Sequence, residues 1–220
     1  MDRVEIVNSF REELYVALLS DVLDELGQTE QALPAHIRPV DPKRRLAGFA
    51  RTGLYREIYV ADPTRNAYEL EIALVDDLKP NDIAVFACGS SGRIGPWGEL
   101  LSTAAMARGA GGCVTDGLIR DVLAIEEMGF PVFHAGISPR DSKGRGIVAE
   151  IDVTVVLGNT VVRPGDFVAG DADGVVVVPS ELVEQVVHGA LQKARGEKST
   201  KQELLEGAKL KDVFKKYGIL

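Results

Sequence analysis

Side chains that staple or load small proteins are scarce in this chain: two cysteines, three histidines and one tryptophan among 220 residues. Cys88 and Cys113 cannot make a disulfide framework, and each lies at an end of an apolar run, so both read as reduced, buried thiols. His36, His134 and His188 are widely spaced, which with so little thiolate argues against zinc. No run approaches the roughly 18 apolar residues of a membrane span. The opening Met1-Asp2-Arg3-Val4-Glu5 lacks the basic-then-apolar order of a signal peptide. A soluble cytoplasmic protein with no membrane partner is expected. Basic excess is missing too: 25 Lys and Arg stand against 33 Asp and Glu, a formal net charge of −8. Nucleic-acid binding needs a basic footprint, so no nucleic-acid partner is expected. Finally, no lysine occurs between Pro80 and Ser142, a gap that bears on the chemistry below.

What is present is an ordinary globular composition, 45% hydrophobic and 26% charged. A chain of this size forms one generous domain and can bury about 70% of its unfolded surface. Val7, Phe10, Leu14, Leu18, Val22 and Leu26 recur at three- and four-residue spacing before Gly27. That predicts one helix over 4–26, with Ser20-Asp21 a place where a second could restart. Three prolines and four basic residues make 31–45 a surface loop. Strands follow at 46–50 and 52–60. The pattern then alternates: strand at Ile83–Cys88, helix at 98–108, strand at 112–115, helix at 119–128, strand at Pro131–His134. Such alternation predicts an α/β fold with a central β-α-β-α-β unit, parallel strands and right-handed crossovers.

From 147 onward the pattern is β alone: Ile147–Leu157, a Gly158-Asn159 turn, Phe167–Ala169 and Val175–Pro179. Gly165-Asp166, Gly170-Asp171 and Asp173-Gly174 are tight-turn pairs. Ser180 caps a last helix to about Arg195. The stretch 197–217 is amphipathic, and its Leu204, Leu205, Leu210, Val213 and Phe214 should pack. No repeat or linker divides the chain. A single domain over 1–220 is expected, with an N-terminal helix 4–26, a core 46–180 and C-terminal helices 181–217.

Open α/β sheets bind ligands where strands end and helices begin. The loop 89–99 runs into a helix whose first free amides are those of Leu100 and Leu101, and unpaired helix N–H groups hold anions. The next strand ends at Asp116-Gly117 and leads to Arg120-Asp121 at another helix start, which a parallel sheet places alongside the first loop. A bidentate guanidinium facing helix amides makes a coherent carboxylate pocket. Asp121 and Glu99 add hard oxygen donors of the kind that hold Mg²⁺ or Mn²⁺. With no lysine in the region to form an imine, metal-stabilised enolate chemistry on a 2-oxo acid is favoured over a Schiff base. A bland reading stays open at this level, because an Arg-Asp pair at a helix start also simply suits the helix dipole.

Two stretches carry a resemblance. One is Gly98-Glu99-Leu100-Leu101-Ser102-Thr103-Ala104-Ala105 followed by Asp116-Gly117-x-x-Arg120-Asp121. The other is Gly165-Asp166 with Gly170-Asp171-x-Asp173-Gly174 and the valine run to Pro179. From about Ser20 to Pro179 the chain resembles the RraA-like family, which includes 4-hydroxy-4-methyl-2-oxoglutarate aldolases. The resemblance implies a swivelling β/β/α-type single domain with a β-rich C-terminal segment, assembled as a homotrimer or homohexamer. It implies a class II, divalent-metal-dependent lyase that cleaves a 4-hydroxy-4-carboxy-2-oxo acid to pyruvate through a metal-stabilised enolate. Oxaloacetate decarboxylation is the implied side or main activity.

Under that resemblance Arg120 and the backbone at Gly98, Leu100 and Leu101 bind the pyruvyl carboxylate. Asp121 holds Mg²⁺ or Mn²⁺, and Glu99 reaches the metal through a water that relays the proton. The aldolases usually carry aspartate where this chain has Glu99, so the acid is kept with one more methylene. Glu197 sits where they place a carboxylate that reaches a neighbouring subunit's site. The family also contains non-catalytic regulators that bind ribonuclease and tend to lack an acid matching Glu99. A regulator binding a ribonuclease or other protein partner is therefore the alternative, and Glu99 beside Arg120-Asp121 favours the enzyme.

Other residues read more plainly. His134 suits a satisfied structural histidine better than a proton shuttle, and Cys113 a buried, inert thiol better than a nucleophile. Trp97 reads as a packing anchor. Arg93 either gates the pocket or is solvated. Asp171 and Asp173 read as turn residues.

Overall fold

The computed structural model describes residues 1–218. Its N-terminal segment is two helices, α1 (Arg3–Glu13) and α2 (Val16–Glu25), rather than one over 4–26. The break falls at Leu14-Tyr15, both extended, and not at Ser20-Asp21. Asp2 and Glu5 cap α1 reciprocally in a capping box. Tyr15 offers α2 no such cap. Instead the Val16 amide donates to Asp171 Oδ2 at 2.9 Å, so a residue from the far end of the chain imposes the break.

Next come β1 (Arg38–Pro39), a short strand inside the expected loop, and β2 (Leu46–Glu57), which merges the two strands expected at 46–50 and 52–60. Helix α3 (Glu69–Asp76) has no counterpart in the sequence reading. The expected β-α-β-α-β alternation is realised in β3 (Asp82–Ala87), α4 (Glu99–Ala107), β4 (Gly112–Thr115), β5 (Leu118–Ile119), α5 (Val122–Met128), β6 (Val132–His134) and β7 (Gly136–Ile137). The helix expected over 119–128 starts late, because Ile119 belongs to a strand and Asp121 is left-handed at φ 58°.

The strand expected over 147–157 is broken at Asp152, φ 53°, into β8 (Gly146–Ile151) and β9 (Val155–Leu157). Strand β10 (Thr160–Val162) closes a hairpin with β9 through Gly158-Asn159. Then follow β11 (Phe167–Asp171), β12 (Gly174–Val178), a 3₁₀ turn at Ser180–Leu182, α6 (Val183–Leu205), which runs on past the expected Arg195, and α7 (Leu210–Tyr217). Of the apolar residues expected to pack in that tail, Val213 is buried while Leu205, Leu210 and Phe214 stand exposed.

The architecture is mixed α/β. The main sheet runs β1-β6-β4-β3-β2-β11-β12, with β8 also on β2. Strands β2, β3, β4 and β6 are parallel to one another. Long β2 is the spine: its start pairs with β11, its end with β8, and its other edge with β3. Alternating side chains of β3 feed two cores, Ala84 and Phe86 toward α3, α4 and α5, and Ile83, Val85 and Ala87 toward the β9–β10 hairpin. Both faces are covered, which accounts for the unbroken burial of β3. A third core joins α1, α2 and α6 to β2, β11 and β12. This layering leaves the C-terminal ends of β3 and β4 as the place where loops and helix starts converge.

Candidate functional site

Two loops leave those strand ends and are fixed by buried polar groups. Asp116, just past β4, is 3% exposed. Its carboxylate accepts the Cys88 amide and, at 2.8 Å, the Ser90 amide, so it ties the loop after β3 to the loop after β4. Burial pushes the Asp116 carboxyl up while those amides pull it down. Thr115 Oγ1 donates to Phe86 O and accepts the Gly117 amide. Trp97, 1% exposed, stacks on Phe130 and donates its indole N–H to Ser102 Oγ at 2.8 Å. It is the packing anchor that the sequence suggests.

Beyond that anchor, the expected site residues come together. The Arg120 amide donates to Trp97 O at 3.1 Å, and the Glu99 amide donates to Asp121 Oδ2 at 3.2 Å. Asp121 thus caps the start of α4 from the neighbouring loop. The Leu100 and Leu101 amides meet no protein acceptor among the described residues. Gly98, extended rather than left-handed, must be glycine for a different reason: a Cβ there would stand 2.7 Å from Asp121 Oδ2 and 3.2 Å from Arg120 Cγ. The guanidinium lies 3.8 Å from Asp121 and 3.7 Å from Asp141, with 40% of the side chain exposed. It makes no side-chain hydrogen bond among the described residues, so its planar fork faces solvent. The Glu99 side chain is exposed beside it.

The sequence reading missed a second group behind Arg120. Tyr68, just before α3, donates to Asp141 Oδ2 at 2.7 Å. Burial works against ionisation of Asp141, yet the Tyr68 hydroxyl, the Lys143 amide and the Arg120 guanidinium hold its carboxyl below the usual range. Deeper lies Glu71 on α3, 6% exposed, which accepts from the Tyr55 hydroxyl. Burial above all, helped by Asp141, pushes Glu71 up to about 7. Only the turn at Asp141, whose carboxylate accepts the Lys143 amide, has a local signature. The rest is assembled by the fold.

The remaining candidates stand apart. Arg93 is held by Glu57 at 3.2 Å and lies over the Tyr59 ring, and so anchors its loop. Cys113 is buried and free, with its thiol pushed up by burial. His134 is buried at the end of β6, and burial lowers its pKa. Asp171 caps α2 and also accepts the Asp173 amide in the expected turn. Glu197 lies on α6 against Tyr15, beside the core of α1, α2 and α6 rather than the core of α3, α4 and α5 that borders the site. Within one chain it does not reach Arg120.

A family model described as RraA-like, Aldolase/RraA, matches residues 16–177. A Halalkalibacterium halodurans protein named "Putative 4-hydroxy-4-methyl-2-oxoglutarate aldolase" is 30% identical over 190 residues, 86% of this chain and 84% of its own. An uncharacterised protein of Methanocaldococcus jannaschii is 36% identical over 118 residues, and the match spans 54% of this chain and 56% of that relative's length. Among solved structures, an uncharacterised protein from Pseudomonas syringae pv. tomato superposes with a TM-score of 0.84 at 26% identity, over 96% of each chain. Streptomyces coelicolor RraAS2, described as an unusual member of the RNase ES inhibitor RraA protein family, gives 0.79 at 27% identity over 90% of this chain and 96% of that one. Among the described residues, no helix is long and apolar enough to cross a membrane.

Proposed function

We propose, from the premise that this chain belongs to the RraA-like family, that it is a divalent-metal-dependent lyase releasing pyruvate from a 4-hydroxy-4-carboxy-2-oxo acid such as 4-hydroxy-4-methyl-2-oxoglutarate. Oxaloacetate decarboxylation accompanies that cleavage. One observation supports the reading above all: uncommitted helix amides, an unengaged guanidinium and an acid meet at one mouth. A purely structural Arg-Asp pair would close on itself. This one leaves both partners facing outward.

The donor set fits Mg²⁺ or Mn²⁺. Asp121 gives Oδ2 to the Glu99 amide, and its side chain stays 44% exposed at the mouth. No cluster of three or more His, Cys, Asp or Glu exists among the described residues, so the protein offers one or two carboxylates rather than a cage. Ions that keep several waters and share substrate oxygens are held in that way. Bound at Asp121, with Glu99 reaching it through water, such an ion would supply Lewis-acid polarisation of the 2-oxo group.

The chain's own residues do the rest. Arg120 grips the C1 carboxylate bidentately, and the Leu100 and Leu101 amides meet it from the start of α4, so the substrate is oriented before the C3–C4 bond breaks. Glu99 takes the 4-hydroxyl proton through a water as that bond breaks and returns one to C3 of the pyruvyl fragment. Leu100, Leu123 and Ile137, 81%, 82% and 63% exposed around the mouth, support a homotrimer or homohexamer in which a second copy closes the site and excludes water.

The decisive experiment is pyruvate release from a panel of 4-hydroxy-2-oxo acids and oxaloacetate, with and without Mg²⁺. Turnover that EDTA abolishes and Mg²⁺ or Mn²⁺ restores is expected. Oxalate, a planar mimic of the pyruvate enolate, should inhibit competitively and bind more tightly than pyruvate. A chain that turns over nothing in the panel and ignores oxalate would be a non-catalytic regulator of a protein partner, the reading that the description of the Streptomyces relative favours.

A further inference from the structure

Arg120 is backed by a line of polar groups that leads into the core and ends on a buried acid. Its Nη1 lies 3.7 Å from Asp141 Oδ2. Asp141 Oδ1 is 3.3 Å from the hydroxyl of Ser142, which is 1% exposed. That hydroxyl also favours the ionised forms of Glu71 and Tyr55, as a donor lying close to both would. The Tyr55 hydroxyl donates to Glu71 Oε2 at 2.5 Å. Four elements contribute to this line: β2, α3, the β5–α5 connection and the loop before β8. An acid only 6% exposed, on a helix that buries Leu74 and Val75, is a costly choice where an apolar side chain would pack.

We propose that Glu71 is a positioning residue for Arg120: through Ser142 and Asp141, its charge state sets how firmly the guanidinium holds a carboxylate-bearing ligand. The proposal rests on Arg120 being the carboxylate clamp argued above. The reasoning turns on the single proton of the Ser142 hydroxyl. While Glu71 is neutral, its own acid proton can be donated to Ser142 Oγ, and Ser142 donates onward to Asp141. Asp141 is then well satisfied and draws only weakly on Arg120.

When Glu71 ionises, its proton goes to solvent and the carboxylate becomes an acceptor for both Tyr55 and Ser142. The Ser142 proton turns inward and Asp141 loses a donor. Two negative charges then stand behind one guanidinium, and Arg120 is drawn back from its ligand. The groups facing Glu71 are Tyr55 from β2, buried Cys88 at the end of β3, Asp141 from the loop before β8, Tyr68 before α3 and Arg120. Only Arg120 among these is cationic. Burial and Asp141 keep Glu71 neutral up to about pH 7, which puts the switch where an enzyme would meet it.

Calorimetric titration of oxalate in the presence of Mg²⁺, from about pH 6 to about pH 8.5, tests this. Oxalate is a dianion throughout, so its own charge does not change. Wild-type affinity should fall by about threefold to tenfold across the range, the size of one added charge behind the site. Glu71→Gln, which fixes the neutral shape, should keep the low-pH affinity and lose the slope. Ser142→Ala, which leaves Glu71 in place and cuts the line, should flatten the slope as well. A Gln variant with the wild-type slope overturns the proposal, and so does one that loses affinity equally at every pH. Arg120→Ala separates this failure from that of the functional reading. If it binds oxalate as wild type does, Arg120 is no clamp and both fall.

Discussion

Arg51 and Arg120 both stand among aspartates, and the contrast between them separates a structural arginine from a binding one. Arg51, in the middle of β2, grips Asp152 with two parallel bonds of 2.8 and 2.9 Å and reaches Asp77 at 3.0 Å, with the side chain 18% exposed. Asp152 holds its guanidinium charged more firmly than usual, against the cost of burial. Arg120 comes no nearer than 3.7 Å to either of its carboxylates and is 40% exposed. Proximity of opposite charges is common to both. What differs is whether the planar donors are already engaged, and only the unengaged fork can take an incoming carboxylate.

The largest expected effect breaks the two apart by the same substitution. Arg120→Lys keeps the charge and loses the fork, so kcat/KM should fall by roughly 3 kcal/mol or more with the unfolding midpoint unchanged. Arg51→Lys should destabilise the fold by about 2 kcal/mol, because Asp152 loses its bidentate partner, while kcat/KM stays. Steady-state kinetics and urea unfolding on the two variants read both. Equal kinetics for Arg120→Lys and wild type would move the carboxylate site elsewhere.

Glu71 sharpens the contrast by supplying a buried acid with no full cationic partner. In the folded chain burial pushes its carboxyl up to about 7, above the 4.5 of an exposed glutamate. The stability it contributes is therefore fully present below about pH 4.5 and is lost as pH rises through about 7. Relative to Glu71→Gln, wild type should lose about 3 kcal/mol over that window. Urea unfolding of both proteins at pH 5 and pH 8 measures the difference. A constant gap would mean that Glu71 is already ionised in the folded chain.

Much of this site is legible in sequence because its parts are local. Gly98-Glu99 opens a helix after an apolar strand, and Arg120-Asp121 follows the next, so the parallel β-α-β-α-β reading alone brings them side by side. What was not legible depends on contacts across long separations. Glu71 gains meaning only from Tyr55 and Ser142, which sit on other elements. The break before α2 depends on Asp171 capping Val16. The late start of α5 depends on Arg120 bonding to Trp97 rather than continuing a helix. In each case a backbone or carboxyl group satisfied from elsewhere overrides a sound local preference.

Gly98 tests how closely the clamp is built. Alanine there needs no strained backbone, since Gly98 is extended. Its methyl would instead press on Asp121 Oδ2 and the stem of Arg120. Gly98→Ala should cost about 1.5 kcal/mol in kcat/KM, roughly a tenfold loss, and much less in stability. Matched kinetics for this variant and wild type would show that the mouth can shift without consequence.

The smallest effect compares two tyrosine–carboxylate pairs, one behind Arg120 and one beside the core of α1, α2 and α6. Tyr68 donates to Asp141 at 2.7 Å, and Tyr15 donates to Glu197. Tyr68→Phe leaves Asp141 with one donor fewer, so it pulls harder on Arg120, and KM should rise about threefold with kcat little changed, the worth of one hydrogen bond. Tyr15→Phe should cost about 0.5–1 kcal/mol of stability through the same kind of loss. Its kinetics should match wild type if Glu197 serves only to hold α6 against the Leu14-Tyr15 break. Should kcat move in Tyr15→Phe and move alike in Glu197→Gln, the released carboxylate is acting at the site of a second copy, since within one chain Glu197 is held against Tyr15 beside the core of α1, α2 and α6, away from Arg120.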